Sequence, residues 1–472
     1  MKRSKHSWSA LALALWTAAA LPVAAQEHHH PEPPPAEPQQ HEHQHQHGTQ
    51  GQEGHEGHEG HDMQGMEGMH DMAGMDHGMH AMRGMLGPYS MSREASGTAW
   101  QPDSTPHQGL HLMKGDWMLM AHGFANLVYD HQGSGRGGEK TFSENMVMGM
   151  ASRNLGPGYL GLRAMLTAEP WTIGRGGYPL LLQTGETADG VTPLVDRQHP
   201  HDMLMELAAS YSVPVGTAGD SLFVYLGWPG EPALGPPTFM HRFSGMDNPE
   251  APLGHHWLDS THVTFGVATL GYIRGDWKVE GSVFTGREPD QNRTNLESPK
   301  MDSWSARVSW QPTRDWSLQV SHGYIHSPEQ LEPELDTRRT TVSAIYNRPL
   351  AEGNWQTTLA WGRNDRDPGG SSDSFLIESA ATRRRHTLFG RFERQNNDEL
   401  GGHHGEEAQA FLVSKLSLGC IDDFFQRESW HGGVGILGSI ARIPESLAHQ
   451  EHGLPSYGDW PVSWMVFLRA RM

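Results

Sequence analysis

The clearest ligand chemistry in this chain lies close to its N-terminus, where methionine recurs among histidine, glycine and acidic residues. Residues 63–85 read MQGMEGMHDMAGMDHGMHAMRGM, and the first five methionines are spaced three residues apart. Thioether sulfur suits soft Cu(I), whereas imidazole nitrogen suits Cu(II), Zn(II) and Ni(II). The candidate ligands in this methionine ladder are Met63, Met66, Met69, His70, Met72, Met75, His77, Met79, His80 and Met82. The ladder predicts copper binding, as Cu(I) or Cu(II), with silver or zinc as other ions that would fit.

The ladder is part of a longer low-complexity tail, residues 26–88. The tail contains no Leu, Ile, Val or Phe before Leu86. Such a composition cannot bury enough apolar surface to form a core, so we expect this tail to be disordered without metal. A solvated spacer is the other interpretation. Gly, Glu and Gln would make such a spacer without methionine, which is readily oxidised to the sulfoxide outside the cytoplasm.

The first 25 residues have the organisation of a secretory signal peptide. Lys2, Arg3 and Lys5 precede an apolar run over residues 10–20, and a small-residue cleavage site follows at Ala24-Ala25. The apolar run is too short to span a membrane as a helix. We therefore expect an exported bacterial protein whose tail lies in the periplasm.

A second group of ligand-capable residues interrupts the middle of the chain, at about residues 184–261. His199 and His201 lie two residues apart, so in an extended chain both imidazoles would share one face. A nearby carboxylate can orient a metal-binding imidazole through its other nitrogen. The candidate ligands in and just after this segment are His199, His201, Asp202, His241, His255, His256 and His262. The other interpretation is that these histidines satisfy backbone groups and cap turns within an ordered loop or plug.

Composition excludes several classes of protein. Cys420 is the only cysteine, so an internal disulfide and a thiolate zinc site are impossible. The net charge of −20 argues against nucleic acid as a partner. No mature apolar run is long enough for a membrane helix, but the strands of a membrane barrel alternate apolar and polar residues and therefore look soluble on average.

From Leu110 onward the chain alternates apolar and polar residues in short runs separated by turns, the pattern of β-strands. The last run, from Val462 to Met472, ends the chain as the final strands of outer-membrane barrels do, although without their usual terminal aromatic residue. We predict an all-β antiparallel transmembrane β-barrel of roughly 12–16 strands over residues 110–472. Residues 89–109 are interpreted as a linker, and about 184–261 as a long loop or plug. A soluble sandwich or propeller is the alternative.

Three further methionines, Met146, Met148 and Met150, alternate along one predicted strand. Methionine at such positions is typical of packing against lipid or within a core. A path for a soft metal along the barrel wall is the other interpretation, because thioethers prefer Cu(I).

The sequence offers little support for an enzyme. GxSxG, HExxH, P-loop and GxGxxG motifs are missing from the contexts in which they act. A membrane lipid hydrolase would need serine and histidine on the barrel wall. The pairs Ser260 with His262 and Ser143 with Asn145 are candidates for these catalytic residues, but any β-rich chain offers such pairs.

The combination of a signal peptide, a Met/His/Gly/Asp-rich tract and a C-terminal barrel resembles the outer-membrane copper resistance proteins. The stretch Met75–Met79, MDHGM, is similar to their metal-binding repeats. The barrel itself, with its TGETADG and GHHWLDSTH segments, looks like a distinct barrel family. The resemblance implies an outer-membrane location and a periplasmic copper oxidase or efflux components as partners.

These observations lead to one main prediction and two alternatives. The main prediction is an outer-membrane barrel that binds copper or silver for metal resistance, in contact with membrane lipid and metal ions. The first alternative is a porin-like channel or transporter with an incidental tail. The second is an outer-membrane lipid hydrolase centred on the loop histidines.

Overall fold

The computed structural model describes residues 82–216, 219–400, 410–449 and 455–472. The predicted signal peptide and the ladder residues from Met63 to His80 lie outside the described residues. Met82 is described, and it packs beside three buried methionines, Met91, Met118 and Met120.

The described chain is almost entirely antiparallel β-structure. Its strands are β1 (Leu110–Lys114), β2 (Trp117–Gly133), β3 (Gly138–Leu155), β4 (Gly158–Leu166), β5 (Tyr178–Thr187), β6 (Pro193–Gln198), β7 (Leu204–Val215), β8 (Asp220–Gly227), β9 (Val267–Arg274), β10 (Trp277–Phe284), β11 (Ser303–Thr313), β12 (Trp316–Ile325), β13 (Asp336–Leu350), β14 (Gly353–Asp367), β15 (Ser371–Arg383), β16 (His386–Asn397), β17 (Phe411–Arg427), β18 (Trp430–Arg442) and β19 (Val462–Arg471). Short helical turns are Met91–Arg93, Glu169–Thr172, Phe239–His241, His255–Leu258, Ser260–His262 and Glu445–Ala448.

The strands close into a barrel. The last strand, β19, pairs antiparallel with β2, from Val462 opposite Gly133 to Arg471 opposite Phe124. Every other neighbour in the ring is also antiparallel, and the described residues contribute 16 strands to the closed ring. β1 pairs with the start of β2, and β5 pairs with β6 in a separate two-stranded sheet. The predicted antiparallel barrel is confirmed, at the upper end of the expected strand number.

Side chains alternate between an apolar outer face and a polar interior. On β10, Trp277 and Val279 are 49% and 54% exposed, whereas Lys278 and Glu280 between them are almost completely buried. This alternation is typical of a membrane barrel, whose outer face meets lipid and whose lumen is polar. None of the helical turns in the described residues has the length and hydropathy that a membrane span requires. The alternation and the closure support an outer-membrane barrel.

The two ends of the barrel differ. Two-residue turns close one end, among them 275–276, 314–315, 351–352, 384–385 and 428–429, and we call it the short-turn end. The opposite, long-loop end carries the connections 167–203, 228–266, 285–302 and 443–461. Outer-membrane barrels place short turns in the periplasm and long loops outside the cell. That rule predicts that the long-loop end faces the exterior.

The segment interpreted as a linker differs from the expectation, because residues 82–109 pack inside the lumen near the short-turn end. Lys278 Nζ donates to the backbone oxygen of Thr98, and the ammonium group lies 4.8 Å from the Trp100 ring. Asn347 Nδ2 donates to the Ser104 oxygen at 2.7 Å. The polar wall satisfies the backbone of a segment that has no strand or helix periodicity of its own. Leu86 is also buried, so the expected tail boundary at residue 88 falls within packed chain.

The β8–β9 connection, residues 228–266, fills the lumen from the other end. Arg242 Nε donates to Glu378 on β15 at 2.6 Å, and Lys415 on β17 donates to Glu250 at 2.9 Å. These buried charge pairs fix the connection to the wall. The range 184–261, expected to be one long loop or plug, also contains two barrel strands, β7 and β8.

Candidate metal sites

The loop histidines are placed by three short elements at the long-loop end. His199 and His201 follow directly after β6, separated by Pro200. His255 and His256 begin the four-residue helix His255–Leu258. His262 ends the next helical turn, after Asp259. Chain positions more than fifty residues apart therefore meet beneath the same loops.

Five imidazole rings form one continuous histidine row, in the spatial order His199, His201, His262, His255 and His256. The centroids of neighbouring rings lie 6.4, 5.2, 5.0 and 5.8 Å apart. Five of the seven predicted loop ligands are thus brought together. His262 lies at the centre and contacts a histidine on each side.

One nitrogen of each central ring is held by an oxygen. His201 Nδ1 lies 2.7 Å from Glu169 Oε2, and His255 Nδ1 lies 2.7 Å from Asp259 Oδ1. His262 Nδ1 lies 3.0 Å from the Asp259 backbone oxygen. Among the described residues, Nε2 of His201 and Nε2 of His262 have no hydrogen-bond partner although both are buried. Metal-binding histidines commonly have this arrangement, with one nitrogen fixed by oxygen and the other free for the ion.

Asp259 is itself fixed by charge. Arg242 donates to Asp259 Oδ2 at 2.7 Å while Asp259 Oδ1 holds His255. Burial alone would raise the pKa of Asp259, but the charge of Arg242 and the hydrogen bond from His255 hold that pKa well below its usual range. The carboxylate therefore stays ionised and can orient His255 at neutral pH.

The far end of the row is acidic. Ligand atoms of His256, Glu288 and Glu329 all lie within 4.8 Å of one another. His256 Nδ1 lies 3.3 Å from Glu329, and its Nε2 has no hydrogen-bond partner in the described chain. Gly185, at φ +104°, lies so close to this ring that a Cβ there would overlap the imidazole. Only glycine allows that approach.

Burial and charge separate the row into two protonation regimes. Burial, followed by neighbouring imidazoles, lowers the pKa of His199 to about 3, and burial also holds the pKa of His262 well below its usual value. Burial acts in the same direction on His256, but Glu288 and Glu329 outweigh it and raise the pKa of His256 to about 9. At neutral pH His199 and His262 are therefore neutral, whereas His256 carries a proton.

Zn(II) binding at His256 should strengthen as pH rises. The ion must displace a proton from this imidazole below pH 9, so the affinity should increase by up to about tenfold per pH unit between pH 6 and 8. His262 is already neutral in this range and adds no such slope. Zn(II) titration of the parent and of His256→Gln across these pH values measures the difference. Equal slopes for the two proteins would contradict it.

Two predicted loop ligands lie outside the row. Asp202 accepts from Arg293 at 3.1 Å, a buried cation that also pairs with Glu186. His241 faces the other end of the lumen, with its ring centroid 5.9 Å from that of His122 on β2. Sequence reasoning missed Glu288 and Glu329, which come from connections β10–β11 and β12–β13. Only the closed strand order brings them to the row.

His241 lies in a second group, a cavity of about 100 Å³ near the short-turn end, which we call the methionine cavity. Its methionines come from four parts of the chain, namely the strands β2 and β3, the N-terminal segment, the β8–β9 connection and the last residue: Met120, Met146, Met148, Met150, Met91, Met240, Met246 and Met472. Histidines 107, 122 and 241 complete the ligand-capable lining. The strand methionines 146, 148 and 150 therefore face the lumen and not lipid.

The serine pairs considered for a hydrolase do not form a catalytic arrangement. Ser260 Oγ accepts from Arg339 at 3.1 Å. Ser143 Oγ accepts from Asn145 Nδ2 at 3.4 Å. In the described chain neither hydroxyl is hydrogen-bonded to a histidine, as general-base activation of serine would require.

Comparison with known proteins gives likeness of shape only. No protein-family model and no curated protein matches the chain. Among solved structures, it is similar to the anion-selective porin from Comamonas acidovorans, with 9% identity, a TM-score of 0.43 and coverage of 75% of this chain and 100% of that one. It is also similar to OmpF of Salmonella typhi in complex with daunomycin (8%, 0.45, 77% and 100%) and to OmpT of Vibrio cholerae (8%, 0.42, 77% and 100%). These likenesses assign neither a family nor a solute to this chain.

Proposed function

We propose that this outer-membrane barrel binds copper at the histidine row and serves envelope metal resistance. The observation that carries the proposal is the pair of buried, unpartnered Nε2 atoms on His201 and His262, whose Nδ1 atoms are fixed by oxygen. A buried polar atom without a partner is costly, so a site that keeps two such atoms on neighbouring rings is explained by an ion that binds them.

Copper fits this donor set better than the other divalent ions. Imidazole nitrogen binds Cu(II), Zn(II) and Ni(II), and Cu(II) has the highest affinity in the first-row series. The methionine ladder adds thioethers, which suit Cu(I). In this proposal the tail gathers copper in the periplasm, where many weak ligands on one chain raise the local ligand concentration. A periplasmic copper oxidase or efflux component is then the partner of that tail.

Replacing His262 with alanine should weaken Cu(II) binding to the barrel by about 10–100-fold, the usual effect of losing a group that supports a metal site. His262 is the best target because it contacts both His201 and His255. Electron paramagnetic resonance of the full chain during Cu(II) titration would show that His262→Ala has lost one Cu(II) signal that the parent gives from a site with several nitrogen ligands. The matched control is His449→Ala, because that histidine is exposed and, among the described residues, pairs with Asp459.

The same experiment can overturn the proposal. If His262→Ala and His449→Ala bind Cu(II) with the parent's affinity and spectrum, the row does not hold copper. A change in barrel folding would be seen separately as altered electrophoretic mobility of the unheated protein.

The closed ring supports a porin-like channel as a second candidate function. Barrels of 16–18 strands leave an aqueous channel in porins. Here the N-terminal segment and the β8–β9 connection occupy the lumen, so solute passage would require one of them to move. Conductance of the parent protein in planar bilayers tests this candidate, and steady porin-like currents at neutral pH would favour it over the metal-binding barrel.

A further inference from the structure

We propose that the methionine cavity is a second metal site, which takes a soft monovalent ion, Cu(I) or Ag(I). It differs from the histidine row in donor type, in position and in the elements that build it. The inference does not depend on copper binding at the row, because it rests on a separate set of residues.

The donors converge from three parts of the chain. The wall contributes Met148 and His122, whose Sδ and Nε2 lie 3.3 Å apart. The β8–β9 connection contributes Met240 and His241, and the N-terminal segment contributes His107 to the same lining. Two to four thioether or imidazole donors satisfy Cu(I), which prefers soft ligands. The cavity of about 100 Å³ is large enough to hold an ion among them.

The charges on the lining favour a monovalent ion. In the described lining the only charged side chains are Glu94 and Arg471. Glu94 already forms a buried ion pair with Arg163. A hard divalent ion would gain little from these walls, because hard cations take carboxylate and carbonyl oxygens in their sites. Neutral thioethers and imidazoles suit an ion of single charge.

Packing alone does not account for this choice of residues. Methionine is a good filler of irregular gaps, but cores are ordinarily specified by Leu, Ile and Val. The described lining of this cavity contains none of those three residues. Eight methionines around a space that stays unfilled by their own side chains match a ligand set better than a core.

The two sites share one turn of the plug. Phe239 packs against His201 and His255 of the row, at centroid distances of 6.5 and 5.5 Å. Two residues later, His241 lies in the methionine cavity beside His122. The turn Phe239–His241 thus places the sites on opposite sides of the same short segment, one toward each end of the lumen.

The test is a site-resolved Ag(I) titration of the full mature chain, with ¹³C-methyl-methionine labels read by NMR. The methyl signals of Met148 and Met240, assigned through Met148→Leu and Met240→Leu, should shift and saturate. The double leucine variant should weaken Ag(I) binding at the remaining cavity methionines by at least about tenfold, since leucine keeps the volume but removes the ligand. Met205→Leu, a buried methionine outside the cavity, should leave these shifts unchanged.

Two outcomes would overturn the inference. If ladder methionines respond to Ag(I) while the Met148 and Met240 signals stay fixed, the cavity is only packing. If the double leucine variant folds and keeps the parent's Ag(I) response at Met146, the assigned donors are wrong. His262→Ala should leave the Ag(I) shifts intact, so failure of the histidine row and failure of this site give different results.

Discussion

Replacing Arg242 with methionine should release the β8–β9 connection and convert a filled barrel into a conducting one. Arg242 donates to Glu378 on the wall at 2.6 Å, to Asp259 at 2.7 Å and to the Pro237 oxygen at 2.6 Å. The guanidinium is fully buried, and so is Glu378. This single side chain therefore ties two parts of the connection to each other and to β15.

The expected effect is large because the substitution removes a buried cation that two carboxylates share, although Glu378 keeps Arg391 and Asp259 keeps His255. Breaking a buried ion pair by removing one member costs about 3–5 kcal/mol. That loss corresponds to a change of about a hundredfold or more in the equilibrium between the docked and the released connection. Planar-bilayer recordings should show stepwise currents from Arg242→Met that the parent lacks.

Arg338→Met is the matched control, because Arg338 is exposed and its ion pair with Asp367 is long, at 3.9 Å. An exposed pair contributes little to stability, so this variant should give the same bilayer currents as the parent. A folded Arg242→Met that conducts no more than Arg338→Met would show that the lumen stays closed without this anchor.

The barrel was predictable because its physical basis is local. Alternation along Trp277, Val279 and Val283 follows directly from lipid on one face and a polar lumen on the other. The two-residue turns between such runs fixed the antiparallel pairing. The strand number was given only as a range, because closure depends on pairings such as β19 with β2, whose residues lie more than three hundred positions apart.

The interior was harder to predict because the contacts that bury it come from distant parts of the chain. Residues 89–109 have the Ser, Thr and Gly content of a linker, yet their backbone is satisfied by Lys278, Ser317 and Asn347 on the wall. A polar lumen can bury a polar segment, and nothing in the segment itself indicates that burial.

The candidate metal residues divide in the same way. His199 and His201 could be paired from spacing, and Asp259 lies close in sequence to His255 and His262. The contact of His201 with Glu169, and the approach of Glu288 and Glu329 to His256, could not be predicted, because they depend on which loops meet above the barrel. The methionine cavity combines residues as distant as Met91 and Met472. In the sequence, only the alternating methionines at 146, 148 and 150 on β3 indicated a soft-metal site in the barrel.

Replacing Trp100 with alanine should loosen the N-terminal segment from the wall and lower the stability of the barrel by about 3–5 kcal/mol, the usual cost of removing a large buried aromatic side chain. Trp100 is 3% exposed and packs with Leu86 and Phe223. Its ring also lies 4.9 Å from the Arg93 guanidinium and 4.8 Å from Lys278. Loss of the ring therefore removes apolar packing and two cation–π contacts at once.

Two measurements test this prediction, one of barrel stability and one of access to the N-terminal segment. Urea unfolding monitored by electrophoretic mobility should give a lower midpoint for Trp100→Ala, and trypsin should cleave at Arg93 faster than in the parent. Trp460→Ala is the control, because that tryptophan is 60% exposed and its loss leaves little buried surface to fill. Equal midpoints and equal cleavage for the two variants would mean that the segment is held by its hydrogen bonds to the wall, with Lys278 and Asn347 as the residues to replace next. A selective loss in Trp100→Ala would instead establish the segment as an integral part of the barrel, whose polar lumen is stabilised by one aromatic anchor.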